Sequence, residues 1–168
     1  MLQPLITSVR HLLALPGAQV LQNVHPLIVH YPIALLTASV LLYFLAWIAR
    51  RESWAWAALW MLGLGTLAAV VAVVTGLSAA EGVMIAPSVR EHVLYYHKRY
   101  MISVLVLSVI LCVWALWARP MPRRGRLGFL FLLLVLVAMI GKGADYGGWM
   151  VYGYNAGGSL PQPIEFSP

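Results

Sequence analysis

Four long apolar stretches dominate the pattern of hydrophobic and polar positions along the chain. They cover residues 32–49, 53–80, 100–118 and 127–144, and Lys142 is the one charged residue within them. A helix rises about 1.5 Å per residue, so roughly 20 such residues cross the hydrocarbon core of a bilayer. Strands of a membrane barrel would alternate apolar and polar residues, whereas these stretches are apolar on every side. The pattern therefore predicts four transmembrane helices.

The composition excludes a water-soluble domain. Of the 168 residues, 62% are hydrophobic and 10% are charged, and the mean hydropathy is +0.85, which is far from the composition of soluble domains. The predicted fold is all-α, an integral membrane four-helix bundle. We expect an N-terminal interfacial segment at 1–24, the transmembrane domain at 25–146, and a C-terminal segment rich in glycine and aromatic residues at 147–168, beginning as a loop that closes over one end of the bundle.

The uncharged part of the fourth stretch is the shortest of the four, because only fifteen residues separate Arg126 from Lys142. A lysine near a membrane interface extends its long stem toward water. We therefore expect Lys142 to lie near the far interface and to pair with Asp145, one helical turn later.

Basic residues are concentrated in the two tight turns of the predicted bundle. These turns contain six basic residues and one acidic residue, whereas the rest of the chain contains five basic and four acidic residues. The six are Arg50, Arg51, Arg119, Arg123, Arg124 and Arg126. Basic residues that flank membrane spans are held on the cytoplasmic side. The placement of these residues predicts a multi-pass protein of a bacterial inner membrane with both termini periplasmic. Because these residues account for most of the net charge of +6, no nucleic-acid partner is expected.

A pair of histidines with the spacing His-x4-His occurs twice, once before the first apolar stretch and once before the third. The four residues are His25, His30, His92 and His97, and the second pair follows the first by 67 positions. The same offset relates Gly76 to Gly143. This indicates two helical hairpins of parallel topology, related by a pseudo-twofold axis along the membrane normal. The four histidines would then lie at one depth.

Helix geometry limits what each histidine pair can bind. Five residues advance about 7.5 Å and about 140° around a helix, so the two rings of one pair point to different sides and suit partners on the other hairpin. Imidazole is an axial ligand for haem iron and a common ligand for zinc or copper. One or two b-type haems with bis-histidine ligation fit this pattern, either His25 with His92 and His30 with His97, or the crossed pairing.

Other residues near the same membrane face suit a porphyrin. Gly76, Gly141 and Gly143 would leave an apolar slot between helices, and Arg99, with Arg90 and Lys98, would hold the propionates. The chain has no Ser-His-Asp order, no intramembrane carboxylate pair and no nucleotide-binding glycine motif. These features favour an electron-transfer subunit over a self-sufficient enzyme.

Three other interpretations remain open. The histidines could be amphipathic interfacial residues, or they could form a non-haem metal or proton-handling cluster in a transport protein. The chain could also be a cofactor-free assembly subunit. On the haem interpretation, the partners are the lipid bilayer, a periplasmic cytochrome c or other redox subunits, and quinone. A homo-oligomer is left open.

The segment His25-Pro-Leu-Ile-Val-His30-Tyr-Pro-Ile-Ala-Leu35 resembles the HP-x-x-VH-F-PIAL signature of a bacterial four-helix membrane family, domain of unknown function 2231. Tyr31 stands where the family has phenylalanine. Thr75-Gly76-Leu77 and Gly147-Gly-Trp-Met-Val-Tyr152 are similar to later landmarks of the family, so the resemblance covers roughly 24–158. Members of this family are often fused to, or encoded beside, cytochrome c modules. The resemblance therefore implies a redox setting and a haem role.

Overall fold

The structure, a computed structural model, describes residues 23–156 and contains four long helices in that part of the chain. They are α1 (His25–Ala49), α2 (Glu52–Gly82), α3 (Pro87–Ala118) and α4 (Arg126–Gly153), each long and apolar enough to span a membrane. The all-α membrane fold expected from the sequence is confirmed. The interfacial segment predicted for 1–24 lies almost entirely outside the described residues, as does the chain after 156.

The four helices form a closed bundle. α1 packs along α2 and α3 packs along α4, while α2 contacts α3 and α4 contacts α1. The core is made of large apolar side chains from all four helices, among them Leu36, Leu62, Leu111, Leu133 and Leu136, which have no exposed surface. Many other large hydrophobic residues are exposed on the outside of the bundle. Such an apolar exterior suits hydrocarbon rather than water.

The two short connections within the hairpins lie at one end of the bundle, which we call the arginine end. In the first connection Arg50 adopts a left-handed conformation with φ of 53°, which ends α1. In the second, Gly125 precedes α4 with φ of 75°. The buried hydroxyl of Tyr43 near the end of α1 donates a hydrogen bond of 3.1 Å to the carbonyl of Pro120. This bond ties the first hairpin to the connection of the second.

The third helix begins earlier than the apolar pattern predicts. It starts at Pro87 rather than Tyr100, and its first turns include a π-helical segment at Arg90–Leu94. The connection between α2 and α3 is therefore only residues 83–86, although the apolar stretches leave residues 81–99 between them. The charged residues that end the apolar stretch lie on a helix that continues past it, because a helix needs apolar surface only where it contacts hydrocarbon.

The fourth helix also extends beyond its expected end. We expect a loop from Gly147, but the chain remains helical to Gly153 through a π-helical turn at Trp149–Gly153. The reason is packing, because Met150 is buried in a small cluster with Val89 and Val93 of α3. The prediction of a loop that closes over the bundle is therefore wrong for residues 147–153. The remainder of the predicted C-terminal segment, from 157 on, lies outside the described residues.

Candidate functional site

The end of the bundle opposite the arginine end brings together the start of α1, the end of α2, the early turns of α3 and the end of α4. We call it the histidine end. His25 on α1 contacts Thr75 and Gly76 on α2, and His97 on α3 contacts Gly143 and Gly147 on α4. One histidine from each hairpin therefore lies against the second helix of its own hairpin.

The two histidines also meet each other across the bundle. The ring centroids of His25 and His97 are 6.5 Å apart, and the ring planes are inclined at 83°. Both side chains are partly buried. Of the alternatives expected from the sequence, this contact corresponds to the crossed pairing.

The proton on His25 is located by its hydrogen-bond partner. Nδ1 of His25 lies 3.2 Å from the hydroxyl oxygen of Thr75. That hydroxyl also lies 3.0 Å from the carbonyl of Val71 and 3.1 Å from that of Ala72. A hydroxyl has one proton and these carbonyls only accept; with that proton donated to a carbonyl, the Thr75 oxygen accepts from Nδ1–H of His25. In the neutral ring, Nε2 then carries the free lone pair.

His97 has the same tautomer, and a single hydrogen bond identifies it. Nδ1 of His97 lies 2.8 Å from the backbone carbonyl oxygen of Gly143. Because a carbonyl accepts only, Nδ1 is the protonated nitrogen and Nε2 is again the free one. Imidazoles that bind metals are commonly held in this way, with one nitrogen donating to a carbonyl or other acceptor and the other nitrogen left for the metal.

Glycine residues allow both rings to approach the helices. A Cβ added at Gly76 would come within 2.8 Å of Cε1 of His25, and one at Gly147 would come within 3.1 Å of Cε1 of His97. Any larger residue at these positions would press on an imidazole. Gly147 lies one helical turn after Gly143, so the same face of α4 supplies both the hydrogen-bond acceptor and the space for the ring.

The structural correspondence of the two hairpins differs from the repeat of 67 positions in the sequence. That repeat pairs His25 with His92 and Gly76 with Gly143, whereas the corresponding contacts are made by His97 and Gly147, which follow His25 and Gly76 by 72 and 71 positions. His25 is the first residue of α1, whereas His97 lies ten residues after the start of α3, so the two histidines occupy different positions within their helices.

His30 and His92 do not join this contact. Both side chains are exposed. Nδ1 of His92 lies 3.1 Å from the carbonyl of Ser88, one turn earlier on its own helix. Within residues 23–156, no group of three or more His, Cys, Asp or Glu side chains is arranged to hold a metal ion.

The basic residue expected to hold a propionate, Arg99, is exposed on α3 two residues after His97. Its guanidinium donates a 2.9 Å hydrogen bond to the hydroxyl of Tyr95 and lies 5.8 Å from the centroid of that ring. A guanidinium has five N–H donors in all. Most of them therefore remain available to another acceptor.

Lys142 and Asp145 behave as the sequence predicts. Nζ of Lys142 lies 3.0 Å from a carboxylate oxygen of Asp145, three residues later, and both side chains are exposed. The ammonium also lies 5.0 Å from the centroid of the Tyr146 ring. This confirms the predicted pair at the outer end of α4.

The glycines expected to form a slot have different surroundings. Gly76 lies against His25, as described above, while Gly143 lies against the side chains of Tyr100 and Met101 on α3. Gly141 has no atom within 4 Å of an added Cβ, so it faces open space. The expectation that Gly141 helps to form the slot stays a prediction.

Two contributors to the site, Thr75 and Gly147, are not identified as such from the sequence. Thr75 directly precedes Gly76, and Gly147 follows Gly143 by one helical turn. These short spacings place Thr75 and Gly147 near the two glycines. They point to the site only once it is known which helices face His25 and His97.

Comparison with known proteins gives one match. A family model described as "Predicted membrane protein (DUF2231)" matches residues 21–159. The match covers all four helices, including the histidine end. No curated protein matches the chain, and no solved structure matches it.

Proposed function

This chain belongs to the DUF2231 family of predicted membrane proteins, and we propose that it is an electron-transfer subunit that binds one haem b between His25 and His97. The observation that carries the proposal is the contact of these two imidazoles, with centroids 6.5 Å apart. One imidazole from each hairpin would hold the haem, and the short separation of the rings is what supports a single shared group.

The donor set also fits haem. Both Nδ1 atoms are held by acceptors, Thr75 for His25 and Gly143 for His97, so both Nε2 lone pairs are free. His25 and His97 would be the two side chains that hold a haem here, and a haem takes one or two protein ligands. Zinc in proteins takes three or four side-chain ligands, more than His25 and His97 provide. A bound haem would supply reversible one-electron chemistry.

We propose one haem rather than two. A second haem would require His30 and His92 to face each other, and both are exposed, with Nδ1 of His92 engaged by its own helix. In the proposed site, Arg99 would hold a propionate with the N–H groups that Tyr95 does not use. His25 and His97 orient the group, and Gly76 and Gly147 leave room for their rings.

The position of the site defines its role. Both ligands lie at the histidine end, so the site exchanges electrons with partners at one membrane surface and does not by itself carry charge across the bilayer. The concentration of arginines at the other end favours a periplasmic position for the histidine end in a bacterial inner membrane. Quinol or a membrane partner as donor, and a periplasmic cytochrome as acceptor, complete the proposal.

The test is a dithionite-reduced minus air-oxidised spectrum of the chain purified from haem-replete membranes, with haem quantified as the pyridine complex. We expect a b-type α band at one haem per chain. His25→Ala and His97→Ala should each abolish it, whereas His30→Ala and His92→Ala, the matched controls, should retain it. Near-ultraviolet circular dichroism and elution volume establish that each variant is folded.

The results also separate the rival functions. A flat spectrum together with a stoichiometric metal ion would favour a metal-binding or transport protein. A flat spectrum without metal would favour a cofactor-free assembly subunit. Loss of haem in the His30 or His92 variants would overturn the single-haem arrangement in favour of two haems.

A further inference from the structure

A cavity that is open to the surface lies at the histidine end, between the end of α2 and the early turns of α3. Its volume is about 460 Å³, and its walls include the apolar side chains of Leu77, Ala80 and Leu94. It is also lined by four residues with charged or hydroxyl groups: Glu81, Arg90, Tyr95 and Lys98. A pocket between membrane helices that combines apolar walls with basic groups is typical of a binding site for a lipid headgroup.

The hydrogen bonds of Arg90 hold it at the cavity with donors to spare. Its two terminal nitrogens donate to the carbonyls of Ala80 at 2.8 Å and Val83 at 2.7 Å, the unpaired carbonyls at the end of α2. Of the five N–H donors of a guanidinium, three remain. Arg90 is therefore fixed in place by the protein and still able to bind an anion.

Tyr95 is also prepared to donate. Its hydroxyl oxygen accepts a 2.9 Å hydrogen bond from Arg99. Because the hydroxyl proton is not used in that bond, it is free for an acceptor in the cavity. Lys98 adds an ammonium group two helical turns after Arg90 on the same face of α3.

Glu81 gives the cavity a charge of the opposite sign. Within residues 23–156 the one ion pair joins Lys142 and Asp145 on α4, so the carboxylate of Glu81 is not paired with Arg90 or Lys98. Two cations and one separate carboxylate complement a ligand with a phosphate and an ammonium. An anionic headgroup would satisfy the cations but would leave Glu81 beside a negative charge.

We infer that this cavity binds the headgroup of phosphatidylethanolamine. Arg90, Lys98 and the hydroxyl of Tyr95 hold the phosphate, Glu81 holds the ammonium, and Leu77 and Leu94 face the first carbons of the acyl chains. The inference does not depend on the haem proposal, because neither His25 nor His97 lines this cavity.

The test uses the full chain in nanodiscs of equal amounts of phosphatidylethanolamine and phosphatidylglycerol, followed by native mass spectrometry of the lipid that stays bound. We expect the wild type to retain phosphatidylethanolamine about fivefold over phosphatidylglycerol, the selectivity of a partly exposed ion pair. Lys98→Gln should lower total phospholipid retention. Glu81→Gln should remove the preference or reverse it toward phosphatidylglycerol.

Lys142→Gln is the matched control, because it removes one lysine charge at a position outside the cavity, and it should leave retention and preference unchanged. The lipid retention of the wild type can by itself overturn the inference. Equal retention of the two lipids would overturn the inference, as would an unchanged preference in Glu81→Gln. Displacement of the lipid by glycerophosphoethanolamine, which lacks acyl chains, at equal concentration would overturn the assignment to a membrane lipid.

Discussion

The imidazole of His25 lies directly against the backbone of Gly76, where a Cβ would come within 2.8 Å of ring Cε1. A Cβ atom and a ring carbon do not approach so closely in a relaxed structure, so Gly76→Ala must displace the ring of His25. The ring is at the end of a side chain and can turn away. Alanine also favours a helix over glycine by about 1 kcal/mol. We expect this variant to lose most bound haem while its thermal midpoint changes little.

Gly63→Ala is the control for that experiment. Gly63 lies on the same helix, and an added Cβ there would have no atom within 4 Å. This variant should keep its haem and be as stable as the wild type or more so. Equal haem content in the two variants would show that the ring of His25 is not a ligand.

The hydroxyl of Thr75 is expected to control how firmly His25 is held. Thr75→Val keeps the shape of the side chain but removes the acceptor for Nδ1–H of His25. Loss of such an outer partner lowers metal affinity by roughly tenfold or more. Titration of haem into the haem-free variant should therefore give a weaker dissociation constant by about that factor.

Thr75→Ser tests whether the hydroxyl itself is responsible. Serine retains the acceptor, so binding should return close to the wild-type value. If Thr75→Ser and Thr75→Val weaken binding equally, the methyl group rather than the hydrogen bond is what positions the ring.

The hydrogen bond from Tyr43 to Pro120 should contribute to stability and not to the histidine end. Tyr43 has no exposed surface, and its hydroxyl bond spans 3.1 Å to a carbonyl in the α3–α4 connection. Tyr43→Phe leaves that carbonyl without this donor and should cost about 1 kcal/mol. Thermal unfolding in detergent would measure the loss, and the haem spectrum should be unchanged.

Tyr31→Phe removes a hydroxyl from a residue that is 62% exposed on the same helix. It should leave the unfolding midpoint where it is. An equal loss in both variants would mean that the contact with Pro120 is not the source of the stability.

Gly143 and Gly141 provide a matched pair on α4. An added Cβ at Gly143 would collide with the side chain of Met101 and would stand 3.2 Å from Cβ of Tyr100, whereas one at Gly141 would meet nothing within 4 Å. The end of the Met101 side chain can turn away, but Cβ of Tyr100 cannot, so Gly143→Ala should lower stability by about 1 kcal/mol, the low end of the cost of overpacking. Gly141→Ala should be neutral in the same unfolding measurement.

The helices are predictable from the sequence because hydrocarbon imposes a simple requirement. Any uncharged stretch of sufficient length must satisfy its backbone within a helix, and the four predicted stretches all lie within the four observed helices. Their outer ends are not predictable in this way. Lys98 and Arg99 directly precede an apolar stretch, yet they lie on α3, because a helix outside the hydrocarbon can carry charge.

The candidate site is predictable in its residue types but not in its pairing. The spacing His-x4-His identifies four candidate residues, but only the packing of α1 against α2, and of α3 against α4, selects His25 and His97. The offset of 67 positions misleads because it compares positions in the sequence, whereas the contacts depend on which side chains face the neighbouring helices. The Lys142–Asp145 pair is predictable because it lies within one turn of one helix.

The two imidazoles are held by different kinds of acceptor, a side-chain hydroxyl for His25 and a main-chain carbonyl for His97. A single codon change can alter the first, whereas no substitution can delete the second. One side of the site is thus open to adjustment by mutation, in nature or in the laboratory, and the other is fixed by the polypeptide.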